Sequence, residues 1–130
     1  MRRLVFSMLA AALVAAVVVV VSADEKGTSK KESAVVEFAN TVKLGGVLLR
    51  GQYMIVHDEE RMAKGEACTY VYRGKKEVAD NLVTSFHCIH MDRAKTEKLK
   101  ISFINYGKPY EVPEIIEIQF AGSSDGHRVP

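Results

Sequence analysis

The residues best suited to chemistry stand close together. His87, Cys88, Ile89, His90 and Met91 form one run, and a second cysteine, Cys68, lies 20 positions upstream. Imidazole, thiolate and thioether are the donors that soft transition metals select. On a strand, however, alternation divides the run: Phe86, Cys88 and His90 point one way, and His87, Ile89 and Met91 the other. A mononuclear metal site could therefore be built from Cys68, Cys88 and His90, copper or zinc being the ions it would suit. Neither a CxxC nor an HxxxH spacing supports it, and the order of Cys, His and Met typical of cupredoxins near a C-terminus is missing.

The simpler expectation is a disulfide between Cys68 and Cys88. An exported domain with two cysteines on neighbouring strands pairs them most economically. Closing a loop of about 20 residues would stabilise the fold by roughly 3 kcal/mol in the chain-entropy description. Two free buried thiols are the third arrangement the sequence permits.

Other polar groups look less organised. A small envelope hydrolase would have to draw its nucleophile, base and orienting group from Ser85, Ser102, His57, His87, His90, His127 and scattered acids, and no nucleophile elbow gathers them. His57, next to Asp58, Glu59 and Glu60, reads as a surface turn with solvated charges. Asp125, His127 and Arg128 read as part of a terminal tail. Gly45 and Gly46 lead into a strand rather than a helix, so they do not form a phosphate loop. No catalytic residue and no cofactor is expected. The aromatics, Tyr70, Tyr72, Phe86, Phe103, Tyr106, Tyr110 and Phe120, alternate as core or edge cover rather than as a stacking platform.

The elements that would position these groups begin with an export signal. Arg2 and Arg3 precede an apolar stretch over residues 4–21, and Ser22 and Ala23 precede the first acid, Asp24. That is the order of a cleaved secretory signal, residues 1–23. An uncleaved membrane anchor over 4–21 is the alternative, because about 18 helical residues rise roughly 27 Å. Cleavage would take two of the 18 basic residues and none of the 16 acidic ones, leaving a formally neutral domain. Nucleic-acid binding usually needs a basic excess on one face, so no nucleic-acid partner is expected.

Residues 24–33 (DEKGTSKKES) have no apolar periodicity and read as a flexible linker. From residue 34 to residue 130 short apolar runs are broken by Gly, Pro, Asp and Asn, the pattern of one all-β domain. Strands are predicted over 35–42, 47–57, 68–72, 82–91, 99–106 and 115–120, with a short helical turn between His57 and Cys68 that Asp58 would cap and Gly65 would end. Leu99, Ile101 and Phe103 alternate with polar residues. Ile116, Ile118 and Phe120 do so with Glu117 and Gln119, which are expected to face water. A hairpin centred near residue 78 would set Tyr70 opposite Phe86 and Tyr72 opposite Thr84, bringing the cysteines together.

Two segments, LLRGQYMI at 48–55 and PEIIEIQFAGSSDGHRVP at 113–130, resemble a group of small exported β-rich proteins common in Acidobacteria. That group shows an LPxGxY-like strand entry and an EI…GS…G…P ending. Arg50 stands where the group usually has Pro or another small residue, while Gly51 is kept. The resemblance implies export and a β fold, and it supplies no reaction.

The expected molecule is thus a small antiparallel sandwich or partly closed barrel following a signal helix, secreted or periplasmic. Its expected role is that of a structural or interaction module of the cell envelope, with an unidentified protein or envelope ligand as partner. A membrane would be involved only if residues 4–21 stay attached. Metal handling through Cys68, Cys88 and His90 is the first alternative and an envelope hydrolase the second.

Overall fold

The computed structural model describes residues 30–105, 109 and 111–130. The expected signal or anchor and residues 24–29 of the expected linker lie outside them. The described residues form eight strands: β1 (Lys31–Leu44), β2 (Val47–Asp58), β3 (Thr69–Arg73), β4 (Leu82–Phe86), β5 (Ile89–Asp92), β6 (Lys100–Ile104), β7 (Glu114–Gln119) and β8 (Asp125–Arg128). One short helix, α1 (Glu59–Ala63), follows β2. All eight strands belong to one sheet in the order β4-β3-β2-β1-β7-β8-β5, with β6 paired to β7. The sheet curls into a half-barrel. This is an all-β fold, and the partly closed barrel describes its arrangement.

Gly45 and Gly46, both with positive φ, make the two-residue turn between β1 and β2, which the flanking strands' twist demands. Every pairing is antiparallel except that of β1 with β7, where Lys43 lies beside Glu114 in parallel. Register breaks between Phe38 and Val42, Val71 and Tyr72, and Ser102 and Phe103 interrupt three ladders. Such bulges bend a strand and increase its twist, and here they let the sheet close over its own concave face. That face is the core: Phe38, Val42, Leu44, Leu49, Tyr53, Ile55, Val71, Ile115, Ile118 and Phe120 form a single buried cluster. Val71 and Ile118 stand three strands apart in the sheet order and share it only because of the curl.

Several strand expectations shift. β1 starts at Lys31, so the last three residues assigned to a linker are strand. The predicted strand over 82–91 divides into β4 and β5, leaving His87 and Cys88 as the connection. β8 arises from the segment read as a turn-rich tail. In the β3–β4 hairpin Tyr70 faces Ser85 and Tyr72 faces Leu82, one residue or more from the expected pairs. Tyr70 and Tyr72 pack with Val56 in a second cluster outside the main core, and the Arg61 guanidinium of α1 lies 4.3 Å from the centre of the Tyr70 ring.

The largest departure concerns β7. Glu117 and Gln119 are buried, not solvated, because the segment after β5 covers the second face of the strand. Gln119 Nε2 donates to the carbonyls of Ala94 and Ser123, each at 2.8 Å. Arg93 clasps Glu117 with two parallel bonds of 2.8 and 2.6 Å. The guanidinium fork holds the Glu117 carboxyl below the usual carboxylate range. In place of Ile116, Ile115 enters the core where the ladder breaks. Replacing Ile118 by Ala is expected to cost about 2–5 kcal/mol, and Gln119→Ala about 1–3 kcal/mol because the carbonyls of Ala94 and the buried Ser123 lose their donor. Urea unfolding of the two variants should therefore show both faces of β7 contributing, with Gln119→Ala well above the cost of a surface change.

Candidate functional site

The inward positions of β2 are Leu49, Tyr53 and Ile55, and His57 continues that phase as the last of them. It is 2% exposed. The strand ends one residue later because Asp58 caps α1, its carboxylate accepting from the backbone N–H of Glu60 at 3.1 Å and of Arg61 at 3.3 Å. The cap fixes Glu59 in the first turn, where its Oε1 lies 3.8 Å from His57 Nε2. Across the β1–β2 ladder His57 is opposite Glu32, and across β2–β3 it is opposite Thr69.

β8 supplies a second buried imidazole. His127, 3% exposed, pairs in register with Ile118 of the core strand β7, so it shares the inward direction. β8 is seated closely: a Cβ at Gly126 would meet Glu117 Oε2 at 2.8 Å and Arg93 Cγ at 3.1 Å. The rings of His57 and His127 stack with centroids 3.8 Å apart and planes inclined by 26°. His127 Nε2 faces Glu32 Oε1 at 3.8 Å, and neither buried atom has a hydrogen-bond partner among the described residues.

Beside the stacked rings lies the sulfur of Cys88, facing the Nδ1 edge of each. Cys88 Sγ is 3.9 Å from His57 Nδ1 and 3.8 Å from His127 Nδ1. One ligand atom from each of the three residues lies within 4.8 Å of the others. Cys88 is also joined to Cys68 in a disulfide whose Cα atoms are 6.1 Å apart. Cys68 is 1% exposed and Cys88 half-buried. The backbone N–H of Cys88 donates to Cys68 Sγ at 2.9 Å, and Thr69 Oγ1 lies 3.4 Å from the same sulfur.

His90, the imidazole expected beside the cysteines, is not among these groups. It stands opposite His127 in the β5–β8 ladder, but its ring turns outward, with Nε2 3.0 Å from Asp92 Oδ1 and 3.8 Å from Asp125 Oδ1. The expected triad of Cys68, Cys88 and His90 is replaced by the disulfide with His57 and His127. The surface-turn reading of His57 and the tail reading of His127 are both corrected. The phase of β2 carried a signal for His57, as its position is inward. None pointed to His127, because Asp-Gly-His-Arg contains no strong strand former.

No family model, curated protein or solved structure matches the chain. The chemistry of the site rests on its own geometry.

Each imidazole presents Nδ1 to the sulfur and Nε2 to a carboxylate. A carboxylate favours the tautomer with the proton on Nε2, which leaves the Nδ1 lone pairs directed at Cys88. Burial, and secondarily the neighbouring His127, push the His57 pKa down from 6.5 to about 4, so the ring is neutral at pH 7. Burial raises the Glu32 carboxyl, but His127 and Lys30 outweigh it and hold the group below its ordinary value. In the unfolded chain His57 takes up its proton near pH 6.5, whereas the folded chain resists until about pH 4. Its contribution to stability is therefore complete above that range and is lost as pH falls through it, by an amount on the order of 3 kcal/mol. The urea midpoint should stay level above pH 7 and drop between pH 6.5 and 4, and His57→Asn should flatten that drop.

Proposed function

We propose that this domain is a metal-handling module whose site is formed by His57, Cys88 and His127, with Cys68 as a fourth donor once the disulfide is reduced. The observation that carries the reading is the convergence of two buried, carboxylate-backed imidazole nitrogens on one cysteine sulfur. In a tetrahedral zinc site, with bonds of about 2.3 Å to sulfur and 2.0–2.1 Å to nitrogen, those atoms would be separated by about 3.5 Å. The distances of 3.9 and 3.8 Å exceed that by a few tenths of an ångström, and the stacked rings would splay as both nitrogens turned onto one ion. Glu59 and Glu32 occupy the places of the outer carboxylates that orient metal-bound histidines. Two nitrogens and two thiolates are a donor set for zinc or copper rather than for magnesium or calcium.

This geometry favours metal handling over the envelope interaction module suggested by the sequence. A disulfide supports an oxidising compartment, and export to the periplasm or beyond is part of the same proposal.

The test is titration of the anaerobically reduced protein with cobalt(II), whose absorption reports thiolate ligation. One ion per chain is expected. His57→Asn and His127→Asn should each weaken binding at least tenfold while keeping the far-ultraviolet circular dichroism of the wild type. Glu32→Gln should weaken it by about 10-fold through the outer contact alone. Failure to bind one ion, or unchanged affinity when both histidines are replaced, would overturn the reading.

A further inference from the structure

We infer that loading of this site is governed by thiol–disulfide exchange, with Cys88 as the sulfur attacked by an external dithiol and Cys68 as the leaving thiolate. The inference rests on the metal-handling reading and adds what switches the site and where the switching partner approaches. The two sulfurs are not equivalent. Cys68 is enclosed at the start of β3, its carbonyl accepting from Asp58 N at 2.8 Å and its N–H donating to Phe86 O at 3.2 Å. Cys88 is half-buried in the connection between β4 and β5, and both of its neighbours, His87 and Ile89, are exposed. β5 also ends the sheet order, so the segment carrying Cys88 continues into an edge strand, the kind of element to which another chain can add backbone hydrogen bonds.

The polar contacts agree with this direction. A leaving thiolate on Cys68 would keep the Cys88 N–H bond at 2.9 Å and have the Thr69 hydroxyl at 3.4 Å as a second donor. Donors that stabilise the departing anion speed its departure. In the first step a thiolate of the external dithiol bonds to Cys88 Sγ, the Cys68–Cys88 bond breaks, and its electron pair goes to Cys68. In the second step the other thiol of the reductant, as thiolate, displaces Cys88. The dithiol becomes a disulfide, having supplied two electrons, and Cys88 is freed beside the Nδ1 atoms of His57 and His127. A metal ion then takes the two sulfurs in place of their protons. Run in reverse, a partner disulfide accepts the two electrons, both thiolates are lost as ligands, and two imidazoles alone do not hold the ion.

Two measurements test the inference. Cys68→Ser and Cys88→Ser, each retaining one thiol and checked for fold by circular dichroism, are exposed to oxidised glutathione and followed by intact mass. Cys68→Ser should form the mixed disulfide at least tenfold faster. Equal rates, or a faster Cys88→Ser, would overturn the assignment of the attacked sulfur. In the second measurement the wild type, oxidised and then reduced with dithiothreitol removed, is titrated with zinc against a chromophoric chelator. Binding only after reduction supports the switch. Equal binding in both states overturns the switch and leaves the metal reading standing. No binding in either state overturns the metal reading, and the loading step with it.

Discussion

The imidazole stack between β2 and β8 depends on how far the sheet curls. In the strand order those two elements are separated by β1 and β7, three spacings that in a flat sheet would hold equivalent residues roughly 14 Å apart. The ring centroids are 3.8 Å apart. The difference is made up by the curl of the sheet, to which the breaks in the β1–β2 and β6–β7 ladders and the packing of apolar side chains on the concave face contribute. Core formation and site formation are therefore one event. The same curvature that buries Ile55 and Ile118 brings His57 and His127 into contact.

Burying polar groups at one end of such a core needs compensation. Much of it here comes from neutrality and from pairing at the margin. His57 gives up its proton before it would give up its burial, and Glu32 keeps its charge by facing Lys30 and His127. Lys30 in turn reaches Glu32 at 3.5 Å and Asp125 at 3.7 Å, tying the start of β1 to β8. Glu32 Oε1 and His127 Nε2, in ion-pair contact at 3.8 Å yet without a hydrogen bond among the described residues, are where that compensation is incomplete.

The all-β class, the glycine turn after β1, the Asp58 cap and the pairing of Cys68 with Cys88 were legible because each rests on local sequence: alternation, turn chemistry and a count of cysteines. What could not be read was non-local. Gln119 alternates with Ile118 as a solvated residue would, and it is buried because a segment some 25 positions earlier lies over it. Cys88 looked like a mid-strand residue in a run rich in strand formers, yet the chain leaves β4 before it. His90 is nearer to Cys88 in sequence than His57 or His127, which lie 31 and 39 positions away and are the ones the fold delivers. Sequence proximity selected the wrong imidazole because three-dimensional neighbours in a curled sheet are set by strand order.

Gly126 shows how a residue with no donor atom can still belong to such a site. The carboxylate that a side chain there would strike is clamped by two bonds to Arg93, so it cannot swing aside without breaking them. A bulkier residue would lift the final strand and turn its neighbour, His127, away from the sulfur. In a survey of natural variation or a saturation scan, position 126 would thus stand out beside the histidines as strongly constrained. That constraint would measure clearance beneath an ion pair, and a chemical role read from it would be mistaken.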